Sequence, residues 1–184
     1  MASSKQMPWQ LKGVPWKTEA AFWGWVRGIL RKGWSRHPVK LEYIKQHRKR
    51  IKNPNPKGKV PEVWGCTCEM CGNDFVQSMI EIDHLNAASS LRCIEDLQGF
   101  AERLLVVTFE DIRALCKPCH SIVTLSQKKG VSLEEATLEQ KVIAIDKLNV
   151  TEVKKWLLQR GITPATNKPG RRKQIKEFLM ENNE

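Results

Sequence analysis

Residues 80–85 read IEIDHL, a short alternating apolar run that ends on an acid and a histidine side by side, Asp83 and His84. Alternation of period two marks a strand, and the end of a strand is where such side chains meet solvent or a metal. What brackets the run decides how it folds. Upstream stands CEMCG (68–72) and downstream LCKPCH (115–120). Each holds a Cys-x2-Cys pair, a spacing that bends the backbone so that both sulfurs face one point. Two such knuckles, on either side of a strand and a helix, bring Cys68, Cys71, Cys116 and Cys119 together as the four soft thiolates of a closed tetrahedral zinc site. Cys66 is a rival for Cys68, but its Cys-x4-Cys spacing to Cys71 makes a looser loop. Cys93 falls within an apolar helical pattern and is expected in the core.

A second ion would use harder ligands. Asp83 offers a carboxylate and His120 an imidazole, a mix suited to Mg2+, Mn2+ or another divalent ion with open positions for water and phosphate. His84 points away from Asp83 in a regular strand, unless the strand ends or bulges there. His120 directly follows Cys119, so folding the zinc frame fixes it near the first strand.

The chain has 184 residues, 41% of them hydrophobic and 28% charged, the composition of a soluble globular protein. No run of 18 apolar residues occurs, and the start, MASSKQMPWQLKG, lacks the apolar stretch of a secretory signal. A cytoplasmic protein without a membrane partner is expected, in which paired cysteines bind metal instead of forming disulfides. The net charge is +11, unevenly spread. Residues 1–60 hold 15 Lys/Arg against 2 Asp/Glu, residues 61–146 hold 7 against 14, and residues 147–184 hold 9 against 4. Basic ends around an acidic centre suit a protein that grips a polyanion with its ends and holds cations in its middle.

Three segments follow: a basic helical arm and linker over 1–60, a core over 61–146, and a helical DNA-binding module over 147–184. In the first, apolar spacing over Phe22, Trp25, Val26, Ile29 and Leu30 predicts a helix capped by Thr18. Trp23, Trp25 and Trp34 are read mainly as core packing. A second helix starts near Pro38, carries Lys45, Arg48, Lys49 and Arg50 in its second half, and gives way to an Asn-, Pro-, Gly- and Lys-rich linker. In the centre, Leu91, Ile94, Leu97, Leu104 and Leu105 mark a helix, another begins near His120, and Ser132 with Glu135 opens the next. In the tail Thr151 caps a helix that Gly161 ends, and Arg171 to Met180 form a second. Val150, Val153, Trp156, Leu157, Ile162, Ile175, Phe178 and Leu179 are their expected core. Candidate DNA contacts are Arg36, Lys45, Arg48, Lys49, Arg50, Lys52, Arg171, Arg172 and Lys173. The pattern of the tail resembles the SAP helix-extended-helix DNA-binding module. The fold class expected is α+β, mostly helical: a small zinc-knuckle core with N-terminal basic helices and a C-terminal helical hairpin.

The order CEMCG, IEIDHL, DIRALCKPCH resembles the HNH, or ββα-metal, endonucleases in their zinc-ribbon form over about residues 64–130. The resemblance implies metal-dependent hydrolysis of DNA phosphodiesters, by nicking or double-strand cleavage. It assigns the divalent ion to Asp83 and His120, and activation of water to His84. The family's middle residue, commonly Asn, is Asp111 here, five positions before Cys116. Asp accepts a hydrogen bond from an imidazole but cannot donate as an amide does. The basic GWSRHPVK (33–40) is similar to the free-standing HNH endonucleases of bacteriophage genomes, which implies a bacterial host cytoplasm. Two other readings stand beside this one. One is a zinc DNA-binding protein of the same fold without catalysis. The other is a junction-resolving nuclease, which shares the paired knuckles but has a more acid- and histidine-rich first strand.

Overall fold

The computed structural model describes residues 6–55, 57, 59–86 and 90–182. The remainder of the expected basic arm (1–5), Pro56 and Gly58 of its linker, 87–89 after the first strand and 183–184 lie outside the described residues. The elements are α+β and mostly helical, seven α-helices with two small antiparallel sheets among the described residues. They divide into two compact units, Met1–Lys117 and Pro118–Glu184. The charge segments above are divisions of composition and do not coincide with these units.

In the first unit, α1 (Glu19–Ser35) opens as its sequence predicts, with the Thr18 hydroxyl accepting from the Ala21 amide at 3.2 Å. Proline at its first position starts α2 (Pro38–His47). The basic run that follows is not helical. Arg48–Lys52 is strand β1, because it pairs along its whole length with β2 (Glu62–Thr67), which in turn pairs with β3 (Asp74–Val76). The described residues of the expected linker lie between these two paired strands. IEIDHL supplies β4 (Ile80–His84), and its partner is β5 (Ile112–Cys116), with Asp83 opposite Arg113 and His84 opposite Ile112.

The helix expected from Leu91 onward begins later, as α3 (Asp96–Leu105). The Asp96 carboxylate accepts from the amides of Arg92 and Cys93 at 2.8 and 3.3 Å, and so holds the preceding residues in a turn. Leu91 is buried ahead of the helix, Ile94 is exposed, and Phe100, absent from the expected stripe, is buried. Two apolar clusters result. Trp23, Leu91, Phe100 and Leu104 form one, and Tyr43, Ile82, Ile112 and Ala114 the other, with Trp34 packed against both. Trp25 is 49% exposed and belongs to neither.

The second unit holds α4 (Lys117–Lys129, whose first residue still belongs to the first unit), α5 (Leu133–Asp146), α6 (Val150–Leu158) and α7 (Lys168–Asn182). α4 starts three residues ahead of His120, taking in Cys119 of the second knuckle. Ser132 caps α5 by accepting from the Glu135 amide. The cap of α6 is Asn149, which exchanges hydrogen bonds with Glu152, and Thr151 lies inside the helix. Val142 of α5 joins Val153, Leu157, Ile175 and Leu179 in one buried cluster, while Val150 is exposed. The tail hairpin therefore shares its core with the helix before it. Among the described residues no helix is long and apolar enough to cross a membrane.

Gly65 lies in the middle of β2, between β1 and β3. A Cβ there would overlap the Ile51 side chain and stand 2.5 Å from the Phe75 carbonyl oxygen. A backbone oxygen in a paired strand cannot retreat cheaply, so Gly65→Ala is expected to lose about 1–3 kcal/mol of stability, as overpacking does. Denaturant unfolding of the zinc-loaded protein measures this, and an alanine variant as stable as the parent contradicts it.

Candidate metal centre and the His84 cleft

β2 leads straight into the first knuckle. Gly72 takes the left-handed conformation (φ 72°) that reverses the chain, its amide donates to the Cys68 carbonyl at 2.8 Å, and the Cys68 amide donates to the Asn73 carbonyl at 2.9 Å. Glu69 then ties the knuckle to β5. Its amide donates to the Ala114 carbonyl at 2.9 Å, while its Oε1 accepts from the Ala114 amide at 2.6 Å and from the Tyr43 hydroxyl at 2.7 Å. Tyr43 is buried, and burial followed by the Glu69 carboxylate keeps its hydroxyl protonated well above the usual range. These bonds set Cys68 and Cys71 against Cys116, which ends β5, and the first turn of α4 adds Cys119.

The four sulfurs lie within 4.8 Å of one another, three of the residues buried and Cys71 exposed. A tetrahedral zinc with Zn–S of about 2.3 Å needs sulfurs about 3.8 Å apart, so a small closure suffices. Burial alone would raise the Cys68 thiol, but amides of Cys116, Cys71 and Met70 directed at its sulfur outweigh it and bring the thiol down to about 6. A thiolate at neutral pH in a set of four soft donors fits zinc, and four protein ligands leave no open position, as in a structural site. Cys66 is buried and outside this group, and burial pushes its thiol up.

His84 closes β4 on the face that carries Ile80 and Ile82, toward Tyr43, Val39 and Trp34. Its ring lies on Trp34, with centroids 4.2 Å apart. Nε2 is 3.2 Å from the Leu104 carbonyl oxygen. A carbonyl only accepts, so in the neutral ring Nε2 carries the proton and Nδ1 is the basic atom. Burial lowers the pKa of His84, opposed by the Leu104 carbonyl and the Asp83 charge and reinforced by Lys40 and His37. The imidazole is thus held neutral at physiological pH.

Beside it is a cleft of about 460 Å3, lined by His84, Asn86, Glu102, Arg103, Val106, Val107 and Asp111. Asp111 ends the short 3-10 turn Phe109–Asp111 before β5. Its Oδ2 accepts from the amide and the hydroxyl of Thr108, both at 2.8 Å, and its own carbonyl accepts from the Leu85 amide at 2.9 Å. The Thr108 donors hold its carboxyl below the usual range. Asp111 therefore fastens the loop to the residue that follows His84.

Asp83 is buried at 8% exposure, and its Oδ2 accepts from Arg113 Nε at 3.1 Å and Nη2 at 3.0 Å. The β4–β5 ladder runs unbroken through both residues, so Asp83 and His84 lie on opposite faces of it. His120 is half-buried in the first turn of α4. Sequence reasoning missed Arg113, Glu69, Tyr43 and the Leu104 carbonyl. Only the antiparallel register, which sets residue 113 opposite 83, could have signalled the first of them.

Of the expected DNA contacts, Arg36, Lys45, Arg48, Lys49, Arg50, Lys52 and Lys173 are exposed. Lys49 pairs with Asp74 at 2.8 Å and Lys45 with Glu42 at 3.4 Å. Arg172 is half-buried against Glu139 and Asp146. Arg171 is buried at 6% exposure and gives Nη1 to the carbonyls of Ala165 and Thr166, so it braces the turn before α7 and leaves the contact set. No protein-family model, curated protein or solved structure matches the chain. What stands on geometry alone is a cluster of four cysteines, of zinc-knuckle type, able to hold a metal ion.

Purified protein is expected to carry one zinc per chain by metal analysis. Cys116→Ser should lose it together with most of the first unit's thermal stability, because metal binding to so small a core is folding free energy. Cys66→Ser should keep it. Full zinc content in Cys116→Ser refutes the assignment.

Proposed function

We propose that the protein is a metal-dependent DNA endonuclease of the HNH type. The observation that carries this reading is the placing of His84 and Asp111 on one cleft, at the end of a strand ladder whose strand β5 runs into one Cys-x2-Cys knuckle, while β2 delivers the other to the same four-sulfur cluster. His84 is suited to be the general base. Its neutral ring presents Nδ1 as acceptor, and Trp34 and the Leu104 carbonyl fix its plane. In the reaction Nδ1 takes a proton from water, and the hydroxide attacks phosphorus in line with the leaving 3′-oxygen. Asp111 holds the loop that orients His84. Asp83 and His120, a carboxylate and an imidazole, would hold the catalytic divalent ion, of a kind such as Mg2+ or Mn2+. Such an ion, bound at those two residues, would supply positive charge against the charge that builds up on phosphorus and the departing oxygen. Duplex DNA is the partner that the basic residues 1–60 suit best, through backbone phosphates.

One observation favours a second reading, a zinc DNA-binding protein without catalysis. The Asp83 carboxylate lies on the face of the β4–β5 ladder opposite His84 and already faces the Arg113 guanidinium, so an ion bound there would have to compete with that cation and would stand across the strand from the base.

Supercoiled plasmid incubated with the zinc-loaded protein in Mg2+ or Mn2+ separates the two. Nicked or linear product is expected, stopped by chelation. His84→Ala should lower the rate by about 10²–10⁴-fold, the usual contribution of a general base, with DNA affinity nearly intact. Tight binding by the parent with uncut plasmid in either ion would establish the second reading.

A further inference from the structure

β3 pairs with Gly65, Cys66 and Thr67, so among the described residues the outer half of the β1–β2 hairpin has no third strand beside it. That half is a two-stranded ribbon. Its tip is braced by Asn53, whose amide donates to the Pro61 carbonyl and whose Nδ2 donates to the Val60 carbonyl, both at 2.8 Å. Period two places Arg48, Arg50 and Lys52 on one face, all exposed, with Lys57 and Lys59 exposed at the tip. Trp64 sits directly opposite Arg50 on that face, 43% exposed. The Arg48 guanidinium lies 4.4 Å and the Arg50 guanidinium 5.1 Å from its ring centroid. Arg50 has one distant acid, Glu62 at 3.7 Å, and among the described residues neither Arg48 nor Lys52 has a carboxylate at ion-pair distance.

Stacking on an indole holds a guanidinium flat and preorganised while leaving its outer N–H groups to a partner. Strands about 4.8 Å apart make a ribbon that fits the major groove of B-form DNA, about 12 Å wide, whereas the major groove of duplex RNA is too narrow and deep to admit it. We propose that the β1–β2 ribbon enters the major groove of duplex DNA, with Arg48, Arg50 and Lys52 gripping it and Trp64 positioning the two guanidinium groups. This rests on the reading of the protein as a DNA-binding nuclease and names the surface through which it binds.

The test uses the full, zinc-loaded chain with Ca2+ in place of a catalytic ion. Affinities for a labelled DNA duplex and an RNA duplex of the same sequence are measured at several salt concentrations. In the triple variant Arg48→Gln, Arg50→Gln, Lys52→Gln the log–log salt slope should shrink by about 0.9 for each phosphate no longer neutralised, approaching 2.7 for three. Removal of the same charge elsewhere on the first unit, by Lys17→Gln, Arg31→Gln and Lys32→Gln, should change it much less. Trp64→Ala should weaken DNA binding several-fold with the slope unchanged, and Trp64→Phe should restore it, an outcome that neither removal of charge nor unfolding produces. Guanine N7, which faces the major groove, should be protected from methylation by the parent and exposed again in the triple variant. The parent's slope and N7 protection surviving in a folded triple variant would overturn the ribbon alone, even where the parent cuts DNA. So would equal binding of duplex RNA, or a triple variant whose only change is aggregation, which would make the charges guards of a sheet edge. A parent that binds no duplex DNA would overturn both proposals.

Discussion

Four sulfur atoms within 4.8 Å of one another set a condition that the first unit has to meet. Two unit negative charges 4 Å apart repel by about 4 kcal/mol even at an effective dielectric constant of 20, so several thiolates cannot share this volume without a cation or retained protons. A zinc ion removes the conflict and turns the repulsion into cross-linking. The chain is arranged around that outcome. β2 delivers one knuckle, β5 the other, and Glu69 fastens the first to the backbone of the second strand. Among the described residues the two apolar clusters nearby have four buried members each, and to cores of that size a metal cross-link adds folding free energy.

The polar groups buried around the frame are paired with care. One carboxylate oxygen of Glu69 accepts from both Ala114 and Tyr43, while its amide donates back to Ala114. Asp83 is met by Arg113 across the strand pair, since a buried carboxylate without a cation costs several kcal/mol. On the other face of the same ladder His84 rests on Trp34 with its Nε2 engaged. One short strand thus separates an ionic pair from a neutral base. The same alternation that builds the hairpin core keeps the two environments distinct.

Much of this was legible in the chain. The knuckle spacing indicated which cysteines meet, and Thr18 and Ser132 marked helix starts where the structure has them. The failures have physical causes. Arg48–Lys52 lacks any strong local preference, and its strand exists because Val63 and Trp64 pair with it, across a gap in sequence that local patterning does not bridge. The signal for the cap of α6 was present as Asn149 with Glu152, and Thr151 drew attention from it. Arg171 belongs to a type read as surface, and its burial depends on two carbonyls in a turn that only the folded chain brings beside it. At the candidate site His84 and Asp111, both singled out in the sequence, line one cleft. Arg113 and the Leu104 carbonyl become partners only through strand register and helix packing.

The second unit has its own apolar cluster, from Val142 to Leu179, and no residue beyond Cys119 takes part in the thiol group. Dependence on the metal should therefore be uneven along the chain. Amide hydrogen exchange, followed in the zinc-loaded protein and again after the metal is withdrawn, reads that dependence residue by residue. The amides of β2, β4 and β5 should lose their protection, while those around Val142, Leu157 and Ile175 keep theirs. Undiminished protection of β2, β4 and β5 in metal-free protein would mean that the sulfur cluster is a consequence of the fold and not the constraint that holds it.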